Sequence, residues 1–196
     1  MSPKRPYLLV FAGANGSGKS TVVDWYLERN MCAGEYICPD QLVPKGKQDD
    51  LDAYIDAMRR AERRRNGFIT TKTSFTFETV LSTREKLDFI NYAKAEGYIV
   101  TTIYVVTSDP QINVERIKQR AAQGGHGVPH DKILSRYKKS MSLMEEVINA
   151  SDEALVYDNS GAAPLVLYAK YMDGRRYHIE PFPEWLKPYL IDQGIK

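Results

Sequence analysis

Two cysteines, three histidines and a net charge of only +2 in 196 residues remove several classes of protein at the outset. Cys32 and Cys38 are not in metal-ligand spacing and form no disulfide framework, so they read as two partly buried thiols of a reducing, cytoplasmic protein. The small charge excess does not point to nucleic acid or to a membrane surface. The longest apolar stretches, such as Tyr7 to Ala14 and Tyr98 to Val106, are too short to cross a bilayer. No internal repeat or low-complexity segment is visible. Apolar content of 43% with 27% charged residues is ordinary for a globular chain, and the length suits one substantial domain better than two.

What is present is an alternation of apolar runs with segments of helical period, the pattern of a mainly parallel sheet covered by helices. "YLLVFA" (Tyr7–Ala12) is a continuous apolar strand, as buried parallel strands tend to be. A helix is expected from about Gly18 to Asn30, and a short strand over "EYICP" (Glu35–Pro39). Leu51, Tyr54, Ile55 and Met58 form one helical stripe from Asp49 to about Asn66, with Asn66-Gly67 as its stop. "RRAERRR" (Arg59–Arg65), late in that segment, reads as a solvated helix end, with a diphosphate-binding rim or nucleic-acid contact as the sharper readings. "FITTKTSF" (Phe68–Phe75), β-branched and aromatic, predicts the third strand.

A helix over about Thr79–Glu96 and the clear strand Tyr98–Val106 follow. Asp109-Pro110 opens another helix, "AAQGGHGVPH" breaks it, and a long helix carries Ile133, Tyr137, Met141, Met144 and Ile148. "EALVYDNS" (Glu153–Ser160) is a strand. Two β-like runs around Asp173-Gly174 predict a hairpin at one sheet edge, with the tail's aromatic residues as edge packing. The expected organisation is one domain over 1–196: a core at 7–160, a helical lid near 116–136, and a C-terminal hairpin and tail at 161–196.

The first segment with chemistry in it is "GANGSGKST", Gly13 to Thr21, which fits G-x-x-x-x-G-K-[ST] between a strand and a helix. Gly13, Gly16 and Gly18 let the backbone turn N–H groups toward phosphate oxygens, and the helix start adds favourable partial charge. Gly13, Ala14, Asn15, Gly16, Ser17, Gly18, Lys19, Ser20 and Thr21 are therefore the candidate nucleotide-binding loop. Lys19 reaches the β- and γ-phosphates of ATP, and the Ser20 hydroxyl is placed for Mg²⁺. The basic start and apolar run before the loop have the outline of a signal peptide, but cleavage there would destroy the loop, so the run is read as a strand.

No "LSGGQ" or "NKxD" element accompanies the loop, which turns the reading from transporter or switch toward a small-molecule kinase. "ERIKQRAAQGGHGVPHDKILSRY" supplies a candidate lid: Arg116 and Arg120 share a helix face, and Arg136 returns beyond a glycine-rich break. Three guanidiniums around a hinge suit a transferring phosphoryl group, although surface arginines on a solvated helix have the same spacing. Asp40, just past the second strand, is either the base that takes the acceptor proton or a turn cap. Within "SFTFETVLS", Ser74, Phe75, Glu78 and Thr79 are candidate substrate contacts, with helix capping as the alternative for Glu78 and Thr79. His126 in the lid reads as a hinge-packing residue.

Taken in order, "GANGSGKST", "CPD", "FETVLS", "RAAQGGHGVPHDKILSRY" and "YDNS" resemble the zeta-toxin family of phosphate-loop kinases, in its compact bacterial branch. The resemblance covers roughly Tyr7 to Ser160 and implies a three-layer phosphate-loop kinase fold. It implies ATP-dependent phosphorylation of a UDP-N-acetylhexosamine hydroxyl, the 3′-position in the best-known members. It also implies Lys19 on phosphates, Asp40 as base, Glu78 and Thr79 at the acceptor, Arg120 and Arg136 as clamps, and Asp158 and Asn159 near the adenine. An antitoxin protein is the partner it suggests. The chain departs from the larger toxins in lacking their long C-terminal extension and ending in its own hairpin and "PEWLKPYL" tail. A kinase for another sugar, nucleoside or polynucleotide acceptor stays open, as does a nucleotide-binding module that acts through a partner.

Overall fold

A computed structural model of the chain describes residues 5–47, 50–124 and 127–190. Seven strands lie in one sheet in the order β2-β3-β1-β4-β5-β6-β7. The central four pairings are parallel, joining β2 (Glu35–Ile37), β3 (Phe75–Thr79), β1 (Tyr7–Ala12), β4 (Ile99–Val106) and β5 (Glu153–Asp158). β6 (Leu165–Lys170) and β7 (Arg176–His178) add antiparallel to the β5 edge, as the Asp173-Gly174 turn predicts. Gly174 has φ +85°, a value that glycine adopts without the Cβ penalty.

One face of the sheet packs on α3 (Leu51–Thr71), α4 (Arg84–Ala95) and α6 (His130–Ala150). Val10, Phe77, Tyr104 and Met144 are completely buried there, and each such side chain contributes about 2 kcal/mol of transfer free energy. The opposite face packs on α1 (Lys19–Glu28) through Leu9, Phe11, Val22, Val23 and Tyr26. α5 (Pro110–Ala122) meets α6 through Val114, Ile117 and Ile133. The parallel strands all run the same way, so Ala12, Ile37, Thr79 and Val106 end on one side of the sheet, and the phosphate loop opens there. Among the described residues no helix is long and apolar enough to cross a membrane.

Four elements differ from the sequence expectation. α3 does not stop at Asn66-Gly67 but runs to Thr71 and ends on Lys72, whose φ is +53°. Gly67 has open space around it, so its cost of about 1 kcal/mol in a helix is offset by the burial of Ile69. β3 accordingly begins at Phe75, and Phe68–Thr71 are helical in spite of their β-branched side chains. The Tyr98 hydroxyl holds this end, within hydrogen-bond distance of the Phe68 and Thr73 carbonyls (2.7 and 2.8 Å).

The buried stripe of α3 is also not the apolar one. Ala57, Ala61, Arg65 and Ile69 face the core, whereas Leu51 is 71% exposed. Small alanines let α3 approach the sheet closely, and Arg65 lies over the Phe77 and Phe89 rings (5.3 and 5.5 Å). Arg65 is therefore a packing residue, with burial lowering its pKa, while Arg59, Arg63 and Arg64 stay exposed. β2 is shorter than expected because Pro39 starts a four-residue helix, α2 (Pro39–Leu42), at the position where a missing N–H costs least. α4 begins at Arg84 instead of Thr79, which pairs with Ala12 at the end of β3.

Candidate functional site

The loop after β1 is shaped by close approach as much as by backbone conformation. Gly13 has φ +143°, and a Cβ there would lie 2.1 Å from the Val105 carbonyl oxygen. At Gly16 (φ +78°) it would meet the Asn113 carbonyl at 2.6 Å, and at Gly18 (φ +89°) the Asn159 Nδ2 at 1.9 Å. Only glycine fits these three positions. Gly18 caps α1 without any side-chain hydrogen bond, so the first-turn N–H groups lack the usual capping side chain. The Ser17 hydroxyl is 1% exposed and has no hydrogen-bond partner.

Lys19 is 6% exposed, and its Nζ donates to the Ala14 carbonyl across the loop (3.1 Å). Burial lowers its pKa, the Arg120 charge pushes the same way, and the carboxylates of Glu78 and Asp40 oppose them. The lysine thus sits in the field of both carboxylates. Ser20 and Thr21 are exposed on the first turn of α1.

The carboxylate side is built at the ends of β2 and β3. Asp40 occupies the first turn of α2 and is exposed. Glu78 lies inside β3 beside Phe11 of β1, half-buried, and accepts a hydrogen bond from the Tyr36 hydroxyl (2.8 Å). Burial raises the Tyr36 pKa, with the Glu78 charge adding to it. Cys38 is pushed up to about 11, by burial first and then by Glu78 and Asp40, and so stays a thiol. Thr79 is nearly buried, and its hydroxyl accepts from the Leu81 backbone N–H (3.0 Å). Tyr54 was not singled out beyond its place in a stripe. Its hydroxyl pKa is raised by burial and by Asp40 and lowered by Arg136, so it lies in the field of both.

Ser74 and Phe75 do not join this group. They lie at the other end of β3, Ser74 about 16 Å and Phe75 about 13 Å from Thr79 at roughly 3.3 Å per residue. The Ser74 hydroxyl accepts from the Tyr7 backbone N–H (2.9 Å), and Phe75 is fully buried against Phe68, Phe77, Phe89 and Tyr98. Their expected substrate role is corrected: the strand starts seven residues later than its composition predicts, and both residues are pulled to its beginning.

Arg116 and Arg120 both lie on α5, and Arg136 on α6. The Arg116 Nη1 is buried without a hydrogen-bond partner, 3.9 Å from where a Cβ on Gly18 would stand. Arg120 is exposed in the last turn of α5. Arg136 is half-buried and donates to the Asn15 Oδ1 of the phosphate loop (3.1 Å). Gly125 and His126 of the expected lid lie outside the described residues.

Two asparagines support the loop from behind. Asn159 donates from Nδ2 to the Ser17 carbonyl (2.8 Å), so its side chain is engaged with the loop backbone. Asp158 accepts from the Ser160 backbone N–H (2.8 Å). Asn113, fully buried at the start of α5, donates to the Asn15 carbonyl (2.7 Å) and accepts from the Thr107 hydroxyl. Nothing in the sequence marked Asn113, since it falls on the inward face beside Val114 and Ile117, where it reads as one more core position.

The AAA domain family matches residues 8–144. A protein of Haemophilus influenzae described as uncharacterized is 30% identical over 131 residues, covering 66% of this chain and 91% of that protein. Among solved structures, the AvrRxo1-ORF1:AvrRxo1-ORF2 complex with ATP superposes with a TM-score of 0.69 at 16% identity, over 90% of this chain. The chain spans only 61% of the length of that AvrRxo1 chain. The PezAT toxin-antitoxin system of Streptococcus pneumoniae gives a TM-score of 0.63 at 15% identity, over 100% of this chain and 82% of that one. At such identities the likeness is of fold, and the fold is that of the phosphate-loop kinases.

Proposed function

The chain belongs to the AAA domain family, and from that premise we propose that it is an ATP-dependent phosphotransferase acting on a hydroxyl acceptor, a UDP-N-acetylhexosamine. The observation that carries the reading is the buried Lys19, which touches the phosphate loop at Ala14 and lies in the field of Asp40 and Glu78. The proximity of these charges supports a phosphate-binding group and a proton acceptor working together. A hydrolytic enzyme would use such carboxylates on Mg²⁺ or water, and acceptor-dependent ADP release separates the two readings. The UDP-N-acetylhexosamine rests on the family resemblance of the sequence segments, as does the possibility of an antitoxin partner.

Asp40 takes the proton of the acceptor hydroxyl as its oxygen forms a bond to the γ-phosphorus, and the bridging bond to ADP breaks. Its exposure gives that proton a path on to solvent. Lys19 and the arginines 116, 120 and 136 offset the charge spread over the phosphoryl oxygens. Glu78, oriented by Tyr36, and Thr79 hold the acceptor, while Asn159 keeps the loop in shape and Asp158 stays beside the nucleotide.

A Mg²⁺ ion fits the donor set here. Ser20 presents an exposed hydroxyl at the start of α1, and such ions take most of their ligands from phosphate and water. Ser20 would hold it, and the ion would supply charge neutralisation for the phosphoryl group in transfer. The whole chain acts as one unit, with residues 116–136 as its lid.

Mass spectrometry after incubation with ATP, Mg²⁺ and a panel of UDP-N-acetylglucosamine, UDP-N-acetylgalactosamine, plain sugars and nucleosides tests the reading. A phosphorylated UDP-sugar absent with Asp40→Asn is the expected result. Phosphorylation of a plain sugar or nucleoside alone would remove the UDP-sugar, and no acceptor-dependent ADP release would remove the transferase.

A further inference from the structure

Asn15 stands at a position that the phosphate-loop pattern leaves free, yet both helices of the lid grip it. Its backbone carbonyl accepts from Asn113 Nδ2 on α5 (2.7 Å), and its side-chain Oδ1 accepts from Arg136 Nη1 on α6 (3.1 Å). The two grips share one support. Thr107, at the end of β4, donates its hydroxyl to Asn113, and its carbonyl accepts from the hydroxyl of Tyr137, the residue after Arg136 (2.6 Å). Asn113 and Thr107 are fully buried and Tyr137 nearly so, so the frame around Asn15 is rigid. The neighbouring Gly16 rests directly on Asn113.

An arginine side chain carries about 2 kcal/mol of rotamer entropy and seeks an acceptor for its planar fork of donors. Here the fork finds a neutral carboxamide oxygen over the loop that binds phosphate. Tyr54 lies in the field of both this guanidinium and Asp40.

We propose that Asn15 is a positioning residue that parks the Arg136 guanidinium over the site of the terminal phosphate, its Oδ1 standing in for a phosphoryl oxygen until ATP arrives. On binding, Arg136 exchanges a neutral acceptor for a charged one, which forms the stronger hydrogen bond. No bond is made or broken in this step. The ordering of Arg136 is complete before the nucleotide binds, so ATP gains the contact without that cost. The inference rests on the kinase reading only as far as ATP binding, and its test needs no acceptor.

The test is a double-mutant cycle read by calorimetric affinity for ATP and for ADP with Mg²⁺, using wild type, Asn15→Ala, Arg136→Ala and the double variant. Asn15→Ala should weaken ATP binding about 10-fold and ADP binding less than about 2-fold, and in the Arg136→Ala background its effect on ATP should fall below about 2-fold. Asn15→Ser, whose hydroxyl is too short to reach the guanidinium, should behave like the alanine variant. Equal losses for ATP and ADP, or the same loss with and without Arg136, would mean that Asn15 only shapes the loop and would overturn the proposal. Should wild type bind neither nucleotide, the phosphate-loop reading itself falls, a distinct and separately visible failure.

Discussion

The two ends of β3 are four positions apart and belong to different worlds. At its beginning Phe75 is fully buried in a cluster of aromatic rings, and Ser74 spends its hydroxyl on the backbone of β1. At its end Glu78 and Thr79 stand beside the phosphate loop, with a buried lysine in the field of the glutamate. The same contrast runs across the sheet. At the edge where the parallel strands begin, polar groups find partners within the chain: Tyr98 meets two carbonyls and Lys72 pairs with Glu96 (2.6 Å). At the edge where the strands end, Ser17 and Arg116 keep buried polar atoms with no hydrogen-bond partner among the described residues, as Arg65 does on α3. A folded chain rarely leaves such atoms unpaired, because each costs about 1–3 kcal/mol, unless something else is to meet them. The difference teaches where a parallel sheet keeps its stability and where it keeps its chemistry.

Variants should separate the two edges. The largest effect is expected at Lys19: Lys19→Ala should lower turnover about 1,000-fold with every acceptor while the melting temperature hardly moves, measured by initial rates and thermal unfolding. Phe75→Ala should do the opposite, costing about 3–5 kcal/mol of stability by equilibrium denaturation, with the remaining folded protein still active. Asp40→Asn should lower kcat about 100-fold and leave the affinity for ATP near wild type, since the residue is exposed and, in the proposed mechanism, acts on the acceptor proton. Ser74→Ala should cost about 1 kcal/mol of stability and nothing in activity, the loss of one hydrogen bond to the Tyr7 N–H. A marked loss of turnover in Ser74→Ala with stability intact would break the comparison.

The elements that were legible in the sequence are those whose signal is local. The strand and loop at Tyr7–Gly18, the strand ending at Val106, the long helix through Met141 and the Asp173-Gly174 hairpin each carry their own pattern. The stretch from Asp49 to Phe75 was misread because its signals point the wrong way. Leu51, Ile55 and Met58 face outward in the first half of α3, its alanines face inward, and a β-branched run finishes a helix. Tertiary packing overrides propensity there. Arginine pairs at lid spacing could be seen along the chain, whereas the grip of Arg136 on Asn15 spans 121 positions, and that of Asn159 on Ser17 spans 142. Contacts of that range leave no periodicity to read. Ser74 and Phe75 were placed at the site by their neighbours in sequence, and the strand carried them to its far end.

The account stands or falls on transfer, as against hydrolysis, of the phosphoryl group. The most direct measurement follows the label from γ-³²P ATP in the presence of UDP-N-acetylglucosamine, with wild type and Asp40→Asn side by side. The account predicts label in the sugar nucleotide with wild type and its loss with Asp40→Asn. Label appearing only as inorganic phosphate, at the same rate with and without the sugar nucleotide, would contradict it.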